Sequence, residues 1–286
     1  MVVGTIFQAN LNADKIYIDL TYLPDPIKHK FWLTIRNQSL STLYFKIICD
    51  IPNWTLDTPA DGKLGSVGAG AAITFTPIIT RAKPASETED SGSLKIEAYT
   101  DSDYTNKMAE DTLDVTVYIE DLESWTDVIK SDFDDGTAQG WTLSHMNISS
   151  TQSVEAGGYS AQFYSHSQYT YNIEASISKS LTLPNRNKVR ISFFLAYSIA
   201  APARYVNVHD LSVMVDDVKI FDLPFKLDRL YSQSKKVGWV KVAADLSDYK
   251  GQTVTLKLRM FGQLEESGLY ATVYIWFDRI VVAGKD

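Results

Sequence analysis

Phe133-Asp134-Asp135-Gly136-Thr137-Ala138-Gln139-Gly140-Trp141 divides the 286-residue chain in two and governs how each part is read. Gly136 and Gly140 permit turns with positive φ, and Trp141 supplies a large anchor at the start of a strand, so the stretch reads as the opening of a module. On both sides of it lie short runs of alternating apolar and polar residues, punctuated by Gly, Pro, Asn and Asp. No stretch of helix length carries a convincing 3.6-residue period. Sixteen Tyr and twelve Phe, with abundant Thr, Val and Ile, favour strands. The chain is long enough for two domains with separate cores, and 45% apolar with 22% charged residues is the composition of a folded protein rather than a disordered one.

Upstream of the dividing stretch, strands are predicted over residues 5–9, 15–20, 31–36, 43–50, 72–79, 93–99 and 113–119. Their number and the turn residues between them suggest a sandwich of immunoglobulin type. Residues 120–131 join the halves. This segment opens acidic, yet Leu122, Trp125, Val128 and Ile129 are too apolar for a free linker, so a short, partly packed connection is expected. Downstream, strands are predicted over residues 161–164, 173–183, 189–197, 211–221, 239–245, 253–261 and 271–282, which favours a jelly roll. The expected fold class is therefore all-β: an immunoglobulin-like β-sandwich over 1–122, then a jelly-roll β-sandwich over 132–286.

Three ordered pieces of the second half carry a family resemblance. They are Phe133 to Trp141, similar to "F-D/E-D-G-x-x-x-G-W"; Gly238 to Gln252, similar to "W-x-x-x-x-x-D-L-S-x-Y-x-G-Q"; and Val273 to Ile280, where the family shows "V-x-I-D-D-I/V". Together they resemble the galactose-binding-like, carbohydrate-binding jelly rolls. Within the first half, Ile35-Arg36-Asn37-Gln38-Ser39, Ile51-Pro52-Asn53-Trp54-Thr55 and Leu64-Gly65-Ser66-Val67-Gly68-Ala69-Gly70 resemble the NEW3-type immunoglobulin-like domains of surface proteins. The jelly-roll resemblance implies one structural Ca2+, held by Asp132 or Asp134 near the opening, by the loop around Ser160, and by Asp278 on the last strand. Calcium takes six to eight oxygen ligands, so carboxylates distant in sequence are compatible with it. The alternative is that these aspartates cap turns. Arg279 stands where the family places a second carboxylate.

Strand alternation supplies a second set of candidates. With Val273, Ile275 and Phe277 inward, Tyr274, Trp276 and Asp278 point outward. With Val254, Leu256, Leu258 and Met260 inward, Lys257 and Arg259 point outward, and Arg190 belongs with the polar set of its own strand. Should these strands be neighbours, Trp276, Tyr274, Arg259, Lys257 and Arg190 share a face. An aromatic platform edged by cationic donors suits a sugar ring, and equally a protein surface or a second subunit. A polar, tyrosine-rich stretch including Tyr164, His166 and Tyr169 is a further recognition surface; its alternative is a hairpin held by cross-strand pairs.

Other classes are excluded or unsupported. A net charge of −8 argues against nucleic acid. No run of about 18 apolar residues is present to insert in a membrane. The lone Cys49 precludes an intramolecular disulfide, and the four histidines (His29, His145, His166, His209) form no metal-ligand pair. No nucleophile elbow, phosphate loop or dinucleotide fingerprint occurs, and no strand motif aims two carboxylates into a cleft. Sequons stand at Asn37, Asn53 and Asn147. Residues 1–11 lack a leader-like pattern, which fits either cytoplasmic synthesis or removal of an export signal. The expectation is a non-enzymatic adhesion or binding protein of the extracellular space, a cell surface or a virion surface, whose jelly roll recognises carbohydrate. Its rivals are a structural subunit that assembles through the same face, possible as an oligomer, and the ancillary modules of a glycoside-processing enzyme.

Overall fold

The computed structural model describes residues 6–11, 13–20, 23–167, 171–200, 206–223, 235–264 and 271–286. The chain is all-β and divides into two units, residues 1–120 and 121–286.

Unit 1 contains β1 (Phe7–Leu11), β2 (Lys15–Asp19), β3 (Ile27–Lys30), β4 (Leu33–Asn37), β5 (Leu43–Cys49) and β6 (Thr55–Thr58). It continues with β7 (Lys63–Val67), β8 (Ala72–Phe75), β9 (Ile78–Arg81), β10 (Thr88–Tyr99) and β11 (Lys107–Glu120). One sheet has the order β1-β4-β8 and another β2-β11-β10-β5-β7, while β3-β9-β6 form a third, smaller sheet. The pairing of β2 with β11 is parallel. Leu43, Phe45 and Ile47 alternate inward along β5 and meet Phe7, Leu33, Ile35, Leu94, Ile96 and Val117 in one core. The strand predicted over 72–79 is two strands. Pro77 lies between them, and its carbonyl accepts the N–H of Phe31 rather than continuing a ladder. β3, β6 and β7 were not expected from sequence, because four- and five-residue polar strands lack a legible alternation.

Unit 2 contains β12 (Asp127–Ser131), β13 (Thr142–Ser144), β14 (Met146–Ser149), β15 (Ser160–Ser167), β16 (Tyr171–Thr182) and β17 (Lys188–Ala200). It ends with β18 (Val206–Val215), β19 (Val218–Leu223), β20 (Lys235–Asp245), β21 (Thr253–Leu264) and β22 (Ala271–Lys285). One sheet has the order β14-β15-β22-β17-β20, with β12 also on β22; the other has the order β13-β16-β21-β18-β19. The chain therefore changes sheet at β12→β13, β13→β14, β15→β16, β16→β17, β17→β18, β19→β20, β20→β21 and β21→β22, and interleaved pairing of this kind is jelly-roll topology. Inward alternation places Phe193, Phe277 and Ile191 from the first sheet and Ile177, Leu256, Leu258 and Val213 from the second in the buried interior. Phe193 and Phe277 meet edge-to-face, with centroids 5.9 Å apart.

The segment expected to connect the halves is instead part of unit 2. Leu122 and Trp125 pack on Val281 and Ala283, and β12 pairs antiparallel with the end of β22, Ile129 opposite Val282. Leu122 and Trp125 bury against β22, which is why the composition is not that of a linker.

Candidate functional site

The outward face of the β22 sheet carries three aromatic rings in contact. Tyr164 on β15 stands directly opposite Tyr274 on β22, and Gln162 stands opposite Trp276. The Tyr164 and Tyr274 rings are 4.8 Å apart at 32°, and the Tyr274 and Trp276 rings are 5.4 Å apart and parallel within 1°. Period-two alternation on neighbouring strands creates this stack: cross-strand partners and residues two apart on one strand share a face. Exposure falls along it. Tyr164 is 52% exposed, Tyr274 is half-buried and Trp276 is 5% exposed. The presentable rings are thus the tyrosines, with Trp276 behind Tyr274 rather than at the surface.

Polar groups border the stack. Asn147 on β14 is exposed and in register with Gln162, and Ser198 on β17 is in register with Tyr274. Ala196 faces Trp276 on β17 and is fully buried. The indole N–H of Trp276 is buried and has no hydrogen-bond partner among the described residues. Beside Trp276 the segment Ser153–Val154 crosses the face. Val154 N–H donates to Asp278 Oδ2 at 2.8 Å, and Trp239 Nε1 on β20 donates to the Ser153 carbonyl at 3.0 Å. Trp239 therefore fastens this loop.

The cationic edge expected from sequence is absent from this face. Lys257 and Arg259 lie on β21, which pairs with β16 and β18 in the other sheet. Each has its own partner there: Lys257 with Asp217 at 2.5 Å, Arg259 with Glu174 at 2.9 Å, and the Arg259 guanidinium lies over Phe261. Arg190 is on β17 in the same sheet as Trp276, but it pairs with Ala283 while Trp276 pairs with Ala196. That separates them by roughly 20 Å at ~3.3 Å per residue. Arg190 is buried and bonded to Asp245 at 2.6 Å and to Ser247 at 3.0 Å, where it ties strand ends together. Strand order, which alternation does not encode, separates the three cations from the rings. Tyr169 lies outside the described residues. The backbone of His166 pairs with Thr272 in β15, and its side chain lies outside the description.

The residues expected to hold calcium occupy one neighbourhood, and several of their oxygens, including both of Asp278, are hydrogen-bonded. Asp132 Oδ1 accepts from Gln139 Nε2 at 2.9 Å and from Asp134 N–H, and the Gln139 bond holds its carboxyl below the usual range. Asp134 Oδ1 accepts from Tyr159 N–H at 3.3 Å. Ser160 Oγ donates to the Gln152 carbonyl at 2.6 Å. Asp278 is 1% exposed and accepts Val154 N–H on Oδ2 and Arg279 N–H on Oδ1. Burial pushes its carboxyl up to about 6, nearby Asp134 adds to the rise, and the two N–H groups and the Arg279 charge oppose it. Among the described residues no three His, Cys, Asp or Glu side chains converge on a common point. Sequence reasoning missed the loop of residues 150–159 as the element uniting these groups, because nothing in its composition announces which strand it crosses.

No family model matches the chain. No curated protein matches it either. Solved structures match the chain at low similarity. One is described as the structural basis for promiscuous specificity of carbohydrate-binding modules from the β-sandwich superfamily: 15% identity, 96% of this chain and 98% of that one, TM-score 0.31. Another is TmCBM61 in complex with β-1,4-galactotriose: 13% identity, 54% of this chain and 94% of that one, TM-score 0.30. A third is the CBM22 tandem domain from Paenibacillus barcinonensis: 11% identity, 98% of this chain and 91% of that one, TM-score 0.31. At these scores the likeness places no residue, and the fold rests on the strand pairing itself. Among the described residues no helix is long and apolar enough to cross a membrane.

Proposed function

We propose that unit 2 binds carbohydrate on the outward face of the β22 sheet, stacking a sugar ring on Tyr164 and Tyr274. The observation carrying this reading is the exposed Tyr164 in contact with Tyr274, which is itself stacked on Trp276. A pyranose offers an apolar face that such rings cover and rim hydroxyls that side-chain amides and hydroxyls bond, and exposed Asn147 and half-buried Ser198 border the rings for that purpose. Trp276 holds the orientation of Tyr274 instead of touching ligand. The protein is then a non-enzymatic binding protein, acting at a cell or virion exterior where glycans are displayed.

A glycan-array screen followed by calorimetry on the full chain tests this. Tyr164→Ala should abolish or weaken binding by at least tenfold without changing the melting temperature, and Tyr164→Phe should retain most of it, because stacking uses the ring. Absence of binding to every glycan class sinks the reading. A stable oligomer in light scattering that dissociates on Tyr164→Ala would assign the face to assembly instead.

A further inference from the structure

We infer that Arg279 is the resident cation of unit 2: its guanidinium clasps the 150–159 loop to the last strand at the place where the family resemblance implies calcium, and the module closes without a metal. The argument starts from the backbone. Successive strand residues point to opposite faces, so Asp278 and Arg279 would normally diverge. Here the pairing of β17 with β22 shifts register between Ser192 and Phe194, and Arg279 adopts a left-handed φ of 46°. An extra residue at a bulge re-aims a side chain, and this one turns both neighbours toward the same loop. Asp278 takes the N–H of Val154, and Arg279 forms an ion pair with Glu155, the next residue. Inward alternation resumes beyond the bulge at Ile280 and Val282, both buried in the core.

The donor set fits that assignment better than it fits calcium. A bound Ca2+ requires several oxygens pointing at one centre. Both Asp278 oxygens face backbone N–H groups, Asp132 faces Gln139, and Ser160 is committed to the Gln152 carbonyl, itself an oxygen such a site would need. Asp278 is the one fully buried carboxylate of this group, and the Arg279 side chain beside it is only 6% exposed. Asp278 lies buried beside the buried Arg279, whose charge offsets part of its desolvation, whereas exposed Asp134 and Glu155 are screened by solvent.

The test is thermal melting of the full chain in chelator and in millimolar Ca2+, with calorimetric Ca2+ titration alongside. Wild type should melt at the same temperature in both and give no binding heat. Arg279→Gln should lower the unit 2 transition by at least 2–4 °C equally in both conditions. Arg279→Asp, which recreates a paired carboxylate, should be unstable in chelator and recover with Ca2+. A wild-type transition that rises with Ca2+, or saturable Ca2+ binding lost in Asp278→Asn, overturns the inference; so does an Arg279→Gln protein as stable as wild type. Should the Arg279 variants fail to fold, Glu155→Gln reports the same clasp: faster proteolytic cleavage within residues 150–159, unaffected by Ca2+, is expected, and an unchanged rate counts against it.

Discussion

Replacing Trp125 by Ala should unfold unit 2 at a markedly lower temperature while leaving unit 1 untouched. Trp125 is 5% exposed and packs with Leu122, 1% exposed, on Val281 and Ala283 at the end of β22. Truncating a buried Trp removes its transfer free energy and leaves a cavity, at a cost of about 3–5 kcal/mol. Lys285 Nζ lies 6.0 Å from the ring centroid, and losing that contact adds up to about 1 kcal/mol. For a unit of this size, ~2–4 °C per kcal/mol converts the loss into a fall of roughly 6–20 °C. Differential scanning calorimetry of the full chain reads it, because two units with separate cores can give separate transitions. Val128→Ser, at a 38%-exposed position on the same segment, is the control and should stay within about 0.5 kcal/mol. If Trp125→Ala melts with wild type, residues 121–131 are a connection after all, and the boundary at residue 121 is wrong.

Acid should destabilise unit 1 through His29, whose pKa burial lowers from 6.5 to about 4. With the folded value below the unfolded one, the stabilisation is complete above pH 6.5 and is lost as pH falls toward 4, by no more than ~3 kcal/mol at ~1.4 kcal/mol per unit. Urea titrations at pH 7 and pH 4.5 should show the decline, and His29→Gln should flatten that limb; an equal decline in the variant refutes the assignment. In a glycosylating host, peptide mapping of the folded product should find Asn147 modified and Asn37 unmodified. Asn147 is exposed, whereas Asn37 is fully buried and donates to the carbonyls of Ser41 and Val67. Modified Asn37 in a natively melting protein would contradict that burial.

Much of the fold is legible without coordinates because β alternation is local. Ile275 and Phe277 inward with Tyr274 and Trp276 outward, and Val254, Leu256, Leu258 and Met260 inward, follow from spacing alone and hold in the structure. Gly136 and Gly140 do have the positive φ that the opening motif requires, 74° and 81°. Buried Phe133 within the same motif adopts φ of 59°, which no composition rule foresees in a large side chain. The partly packed segment expected over 120–131 has the same limit: Leu122 and Trp125 signal burial, but their partners Val281 and Ala283 lie some 160 residues downstream.

The candidate site divides along the same line. Sequence by itself determined which side most of these residues take on their own strands, since a period of two needs only neighbours in the chain; the bulge at Arg279 is where that period breaks. Tertiary structure decided which strands lie side by side. It joined Tyr164 to Tyr274 across β15 and β22, sent Lys257 and Arg259 to the other sheet, and placed Arg190 at the far end of its own. It also decided exposure, laying Ser153–Val154 across the face near Trp276 and leaving the tyrosines outermost. Strand order and loop placement depend on pairings between distant segments, and those are set by packing of the whole core rather than by any local pattern.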